Sequence, residues 1–230
     1  MVLPPAAASL RLRISAVSGA VSVTAEGRTD VVVDRGGAAL ATADGAVEIQ
    51  AGRPSDSVAV RCPSGADVII GTRSGRVELD GRFGTVGVTS QSGSIRVATV
   101  AEADLRTVSG TVELEACDGR CRVSTTSGRI AVGATGDGEI STTSGRVDIE
   151  RVAGALQVRS VSGNVTVTTS ARGPVRASSV SGSITISLPP GVRPTVRSSG
   201  RGPVQSSFEP GDDVVVEIAT VSGTVRLVPA

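Results

Sequence analysis

Seven carboxylates in the middle of the chain, at Asp104, Glu113, Asp118, Asp137, Glu139, Asp148 and Glu150, are the residues best placed to do chemistry. Two acids held about 5–9.5 Å apart in a cleft can cleave a glycosidic bond, and Glu139 and Asp148 are the pair that neighbouring coils of a repeating fold could bring together. Their scatter fits solvated strand faces better than a converging pair. Other routes to activating a nucleophile or a water are closed by composition. The chain has no His, and all 23 of its basic residues are Arg. That removes Ser-His-Asp and Cys-His catalysis, His-ligated metals, Schiff-base or dyad lysines, and a phosphate loop ending in Gly-Lys.

The remaining sites are thin. Cys62, Cys117 and Cys121 cannot complete a four-ligand zinc site; they are expected to be buried free thiols, with Cys117 and Cys121 flanking one turn. The acidic turns "TGDGE" (135–139) and "PGDD" (210–213) lack the spacing of calcium-binding β-rolls. Paired threonines at Thr125-Thr126 and Thr142-Thr143 suggest an ice-binding array, but Val108, Val161 and Val180 interrupt the column. Arg balances Asp plus Glu at 23 to 22, without a basic stripe or a stacking platform, so nucleic-acid binding is disfavoured. No apolar run approaches the roughly 18 residues of a membrane span. The opening "MVLPPAAASLRLRISAV" resembles no secretory leader, so a cytoplasmic location is expected. No cofactor, no tightly bound metal and no enzymatic activity are expected.

The elements that carry these residues repeat. Ser-Gly pairs fall at Ser74-Gly75, Ser92-Gly93, Ser109-Gly110, Ser127-Gly128, Ser144-Gly145, Ser162-Gly163 and Ser181-Gly182, at spacings of 17 to 19 residues, and a late copy stands at Ser222-Gly223. After each pair an apolar-polar-apolar strand follows, as in Val112-x-Leu114, Ile130-x-Val132 and Val147-x-Ile149. Between the pairs lie further glycines such as Gly84, Gly136 and Gly154. With aromatics at 1% and neither Trp nor Tyr, the core must be built from Val, Ile, Leu and Ala, which suits pleated strands. The alternation predicts one buried and one wet face. An open meander of more than a dozen strands would leave an apolar face bare. The fold expected is therefore all-β: a single-stranded parallel β-solenoid (β-helix) of about 18 residues per turn, two short strands per turn, with irregular capping coils at both ends.

Three regions follow. Residues 1–70 hold N-terminal strands and a cap continuous with the solenoid, 71–188 the regular repeats, and 189–230 a loop and closing coil. Pro189, Pro190, Pro194, Pro203 and Pro210 mark an edge that resists templating another chain. Gly110, Gly128 and Gly145 are expected to hold positive φ at the corners. The six apolar residues of the strands just quoted are expected inside, with Glu113 and Asp148 outside. Glu78, Arg96 and Glu113 would alternate in sign along one outer column, whereas Arg129 and Arg146 would repel unless Asp148 or solvent screens them.

Repeated "TVSG" turns, a "SLPPG" loop and a closing "TVSGTVRL" resemble the bacterial putative-adhesin family, a β-strand-repeat domain of unknown function. The resemblance is clearest from Gly71 to Val228. It implies a β-helical or solenoid-like fold and brings no catalytic residues. Together these readings predict a non-catalytic scaffold or protein-interaction module, binding protein or copies of itself. The alternative is a β-helix that binds or acts on polysaccharide.

Overall fold

The computed structural model describes residues 2–3, 10–42, 46–170 and 173–230. Residues 1 and 4–9 of the opening stretch lie outside them. Among the described residues every regular element is a strand. The chain divides into two compact units, Met1–Ala116 and Cys117–Ala230.

The first unit contains β1 (Val2–Leu3), β2 (Arg11–Ser15), β3 (Val21–Glu26), β4 (Val31–Arg35), β5 (Ala38–Ala41), β6 (Val47–Gln50), β7 (Val58–Pro63), β8 (Asp67–Thr72), β9 (Val77–Ser90) and β10 (Ile95–Ser109). The long β11 (Val112–Val152) begins in it. The second unit holds the rest of β11, then β12 (Leu156–Ser162), β13 (Val165–Thr169), β14 (Val175–Leu188), β15 (Pro194–Gly200), β16 (Val204–Ser206) and β17 (Val214–Pro229).

Most pairings are parallel, and the repeat sets their register. Ile95 lies beside Val77 and Ala103 beside Val86 in the first unit; Val147 lies beside Val165 and Val158 beside Ala177 in the second. The partners are thus 17 to 19 residues apart, matching the Ser-Gly spacing. Because side chains alternate across a strand, this register stacks apolar residue on apolar residue. Val112, Leu114, Ile130, Val132, Val147 and Ile149 are all buried, while Glu113 and Asp148 remain partly exposed.

Both units depart from sequence order at one margin. In the first, β2 lies between β6 and β8, and β3 between β7 and β9. β2 and β3 are therefore interior, and residues 47–63 lie outside them. Antiparallel β5 then pairs with β6, β4 with β7, and β1 with β4. In the second unit β17 inserts between β14 on one side and β15 and β16 on the other. The closing "TVSGTVRL" is thus an inner strand, and the Pro-rich segment before it forms the margin. Composition explains the exchange. In β17 the residues Val214, Val216, Ile218, Val225 and Leu227 alternate cleanly and bury fully. β15 ends in exposed Arg197-Ser198-Ser199-Gly200, which loses little in water.

Candidate interaction faces and corners

Each Ser-Gly corner packs backbone against backbone. A Cβ on Gly93 would collide with the Gly75 carbonyl oxygen, one on Gly110 with that of Gly93, one on Gly145 with that of Gly128 and one on Gly163 with that of Gly145. The expectation of positive φ is corrected here. Gly110, Gly128 and Gly145 are not among the positive-φ glycines; of the predicted corners only Gly182, at φ 143°, is. Glycine is needed at Gly93, Gly110, Gly145 and Gly163 because the neighbouring coil's backbone comes too close for any side chain.

Two residues before each Ser lies a small hydroxyl residue, a regularity that inspection for Ser-Gly alone overlooks. In the first unit Gly75 N donates to Thr72 Oγ1 (3.2 Å) and Gly93 N to Ser90 Oγ (3.1 Å). The hydroxyls of Thr107, also in the first unit, and of Thr125, Thr142, Ser160, Ser179 and Thr220 in the second are buried without a hydrogen-bond partner among the described residues. The residue between hydroxyl and Ser points outward. Register therefore stacks exposed Val161, Val180 and Val221 on three adjoining strands, next to Thr143.

The outer faces carry charge in alternating columns. Arg96 Nε donates to Glu113 at 2.8 Å, and Arg122 Nη2 to Glu139 at 2.7 Å. Arg129 Nη2 donates to Asp148 at 2.9 Å, which supplies the screening that Arg129 requires. Arg176 Nε donates to Glu217 at 2.6 Å, and Arg197 lies 3.7 Å from the same carboxylate. These exposed pairs contribute little stability individually, but they fix the register and leave a face of mixed sign.

Glu139 and Asp148 are each engaged by a different arginine. Glu139 lines a shallow groove of about 210 Å³ with Asp137, whose Oδ1 accepts from Ala155 N at 2.8 Å; Asp148 is not among the lining residues. A groove of about 410 Å³ in the second unit opens where Ser178, Ser199 and Ala219 leave room between Arg159, Arg176 and Arg197. The three cysteines are buried and form no disulfide. Burial pushes the Cys62 thiol up to about 12. The adjacent Cys117 thiol, together with burial, drives Cys121 upward as well, so neither is a ready nucleophile. Among the described residues no group of three or more Cys, Asp or Glu is arranged to hold a metal, and no helix is long and apolar enough to cross a membrane.

A family model described as Toastrack DUF4097 matches residues 3–150 and, in a second overlapping stretch, 123–227. No curated protein matches the chain. Among solved structures, a putative adhesin from Bacteroides fragilis NCTC 9343 is similar at a TM-score of 0.54 and 11% identity, covering 99% of this chain and 95% of that one. That likeness speaks to the fold alone. A putative cell adhesion protein from Clostridium sporogenes ATCC 15579 is more distant, at a TM-score of 0.32 and 8% identity over 100% of this chain and 97% of that one.

Proposed function

The chain belongs to the Toastrack family, and on that premise we propose that it is a non-catalytic β-solenoid scaffold whose outer faces bind protein. Each coil of about 18 residues supplies two short strands, and stacking buries the Val, Ile and Leu columns. One observation carries the reading: Glu139 and Asp148, the best acid pair in the sequence, are each engaged by a separate arginine, and Asp148 does not line the groove that Glu139 lines. The structural neighbour from Bacteroides fragilis, a putative adhesin, agrees with an interaction role. The polysaccharide alternative has less support, because sugar faces usually stack on aromatic rings and the chain has neither Trp nor Tyr.

The test is a broad glycan and ester substrate screen on purified protein, with elemental analysis alongside. The expected result is no turnover and no stoichiometric metal. Turnover abolished by Glu139→Gln or Asp148→Asn would overturn the scaffold reading.

A further inference from the structure

Among the described residues, the margin of the second unit has an open strand edge, because β15 pairs with β17 alone. In β15, Arg201 N, just past its end, donates to the Thr220 carbonyl at 3.1 Å. Odd-numbered residues therefore turn their backbone groups toward β17, and Val196, Ser198 and Gly200 turn theirs away, since a parallel strand alternates between its two neighbours. The same row begins at Pro194, and its carbonyl already accepts from Gly211 N at 3.2 Å. The chain's own loop thus occupies the first outward position. Three remain.

The side chains around this edge select an occupant. The outer column runs Arg176, Glu217, Arg197 on adjoining strands. Arg197 is 69% exposed and shares Glu217 with Arg176, so the next place in the alternation calls for an acid. Val196, half-buried beside buried Val216, offers an apolar step to the same added strand. From Gly191 to Phe208 the chain has Arg193, Arg197 and Arg201 and no acid. Two copies meeting edge to edge would set arginine against arginine. The other margin is no match either, because β5, which edges it, reads Ala-Ala-Leu-Ala and carries no acid to meet Arg197.

We propose that the β15 edge takes up a short extended peptide of a partner protein as an added strand, with an acidic residue facing Arg197 between two apolar residues. Main-chain bonds to Val196, Ser198 and Gly200 would supply affinity, and the Arg197 contact and the Val196 step specificity. Pro194 and the Gly211 contact limit the open edge, which suits a peptide rather than a whole coil. This assignment rests on the interaction reading above and names its partner chemistry.

The probe is a fluorescent peptide of about seven residues, alternating Val and Thr around a central Glu, with a Lys counterpart. Anisotropy titration should show the Glu peptide binding at least about fivefold more tightly, the scale of one exposed ion pair. Arg197→Glu should reverse the preference, with an unchanged melting temperature showing that the variant is folded. Hydrogen exchange should slow at Val196, Ser198 and Gly200 when the peptide is bound. Absence of saturable binding, equal binding of both peptides, protection elsewhere, or a concentration-dependent dimer joined through β15 would each overturn the proposal. None of these outcomes bears on the turnover screen, so the two readings fail separately.

Discussion

The two units share a corner and differ at their margins. Both stack glycine on glycine at the Ser-Gly turn, and both place a strand from near a chain end inside the array rather than at its edge. The first unit then closes its margin by reversing direction. β4 and β5 run antiparallel over β7 and β6, with Arg61 binding Asp34 through two bonds of 2.6 and 2.7 Å. The second unit keeps a parallel margin and moderates it with Pro194, exposed Ser and Arg residues and the Gly211 contact. A strand edge can thus be paired or made unattractive. The first solution covers the parallel strands with antiparallel ones, and the second leaves part of a parallel edge available.

The largest effect should come from the feature the units share. Gly93→Val and Gly163→Val would each drive a β-branched side chain into the neighbouring glycine carbonyl, and each should cost about 3 kcal/mol. Gly191→Ala, at φ 84° in open space beside the second margin, should cost about 1 kcal/mol from backbone strain alone. Chemical denaturation of the three variants measures this directly. Equal losses would remove the distinction between stacked corners and margin turns.

A matched pair of valines probes the margins next. Val31 in β4 is 1% exposed, whereas Val196 in β15 is only half-buried. Val31→Ala should lower stability by about 2 kcal/mol, from two lost methyl groups and the space they leave. Val196→Ala should lower it by less than about 1 kcal/mol. If Val196→Ala proved the more damaging, the second margin would be a packed face and not an open edge.

The sequence made the periodic interior legible and left the margins obscure. Alternation places Val147 and Ile149 inside and Asp148 outside, because a half-buried strand permits one register. It cannot tell which strands are neighbours. Residues 47–63 carry alternation as good as that of 11–26, so nothing local reveals that the second stretch lies outside the first. The Pro-rich 189–210 segment does signal an edge, yet the strand that follows it turns back inside. Glycine at the corner was visible and its reason was not: close approach of Gly145 to Gly128 depends on stacking, which lies beyond any single turn. For the candidate site, the scatter of the acids already argued against catalysis. The open row at Val196, Ser198 and Gly200 depends on which strand β15 pairs with, and the chain alone does not state that.

Corner hydroxyls give a smaller contrast, made by one substitution in two places. Ser90 and Ser160 are both buried, but only Ser90 accepts a bond, from Gly93 N. Ser90→Ala should cost about 1 kcal/mol, because the amide loses its partner. Ser160→Ala should be neutral within about 0.5 kcal/mol or slightly stabilising, since an unpaired buried hydroxyl is itself unfavourable. Thermal melts of the two single variants would separate them, and a loss at Ser160 equal to that at Ser90 would erase the difference between the corners.

The smallest effect concerns the covered margin in acid. Arg61 hydrogen-bonds Asp34 and holds its carboxyl below the ordinary value of 3.8. A carboxylate with a lowered folded pKa adds stability that is fully present above the unfolded value and is lost as pH falls through the folded one. The Asp34 contribution should therefore be intact near neutrality and fade only below about pH 3.8. Both side chains are substantially exposed, so salt should weaken the effect further. Hydrogen exchange across β4 and β7 is the sensitive readout: protection of Val32 and Val33 should decline below that pH, ahead of the interior strands β9 and β10. Asp34→Asn should lower protection at neutral pH and flatten its acid dependence. A β4 whose exchange follows the interior at every pH, in wild type and variant alike, would mean that the antiparallel pairing holds the margin without the ion pair.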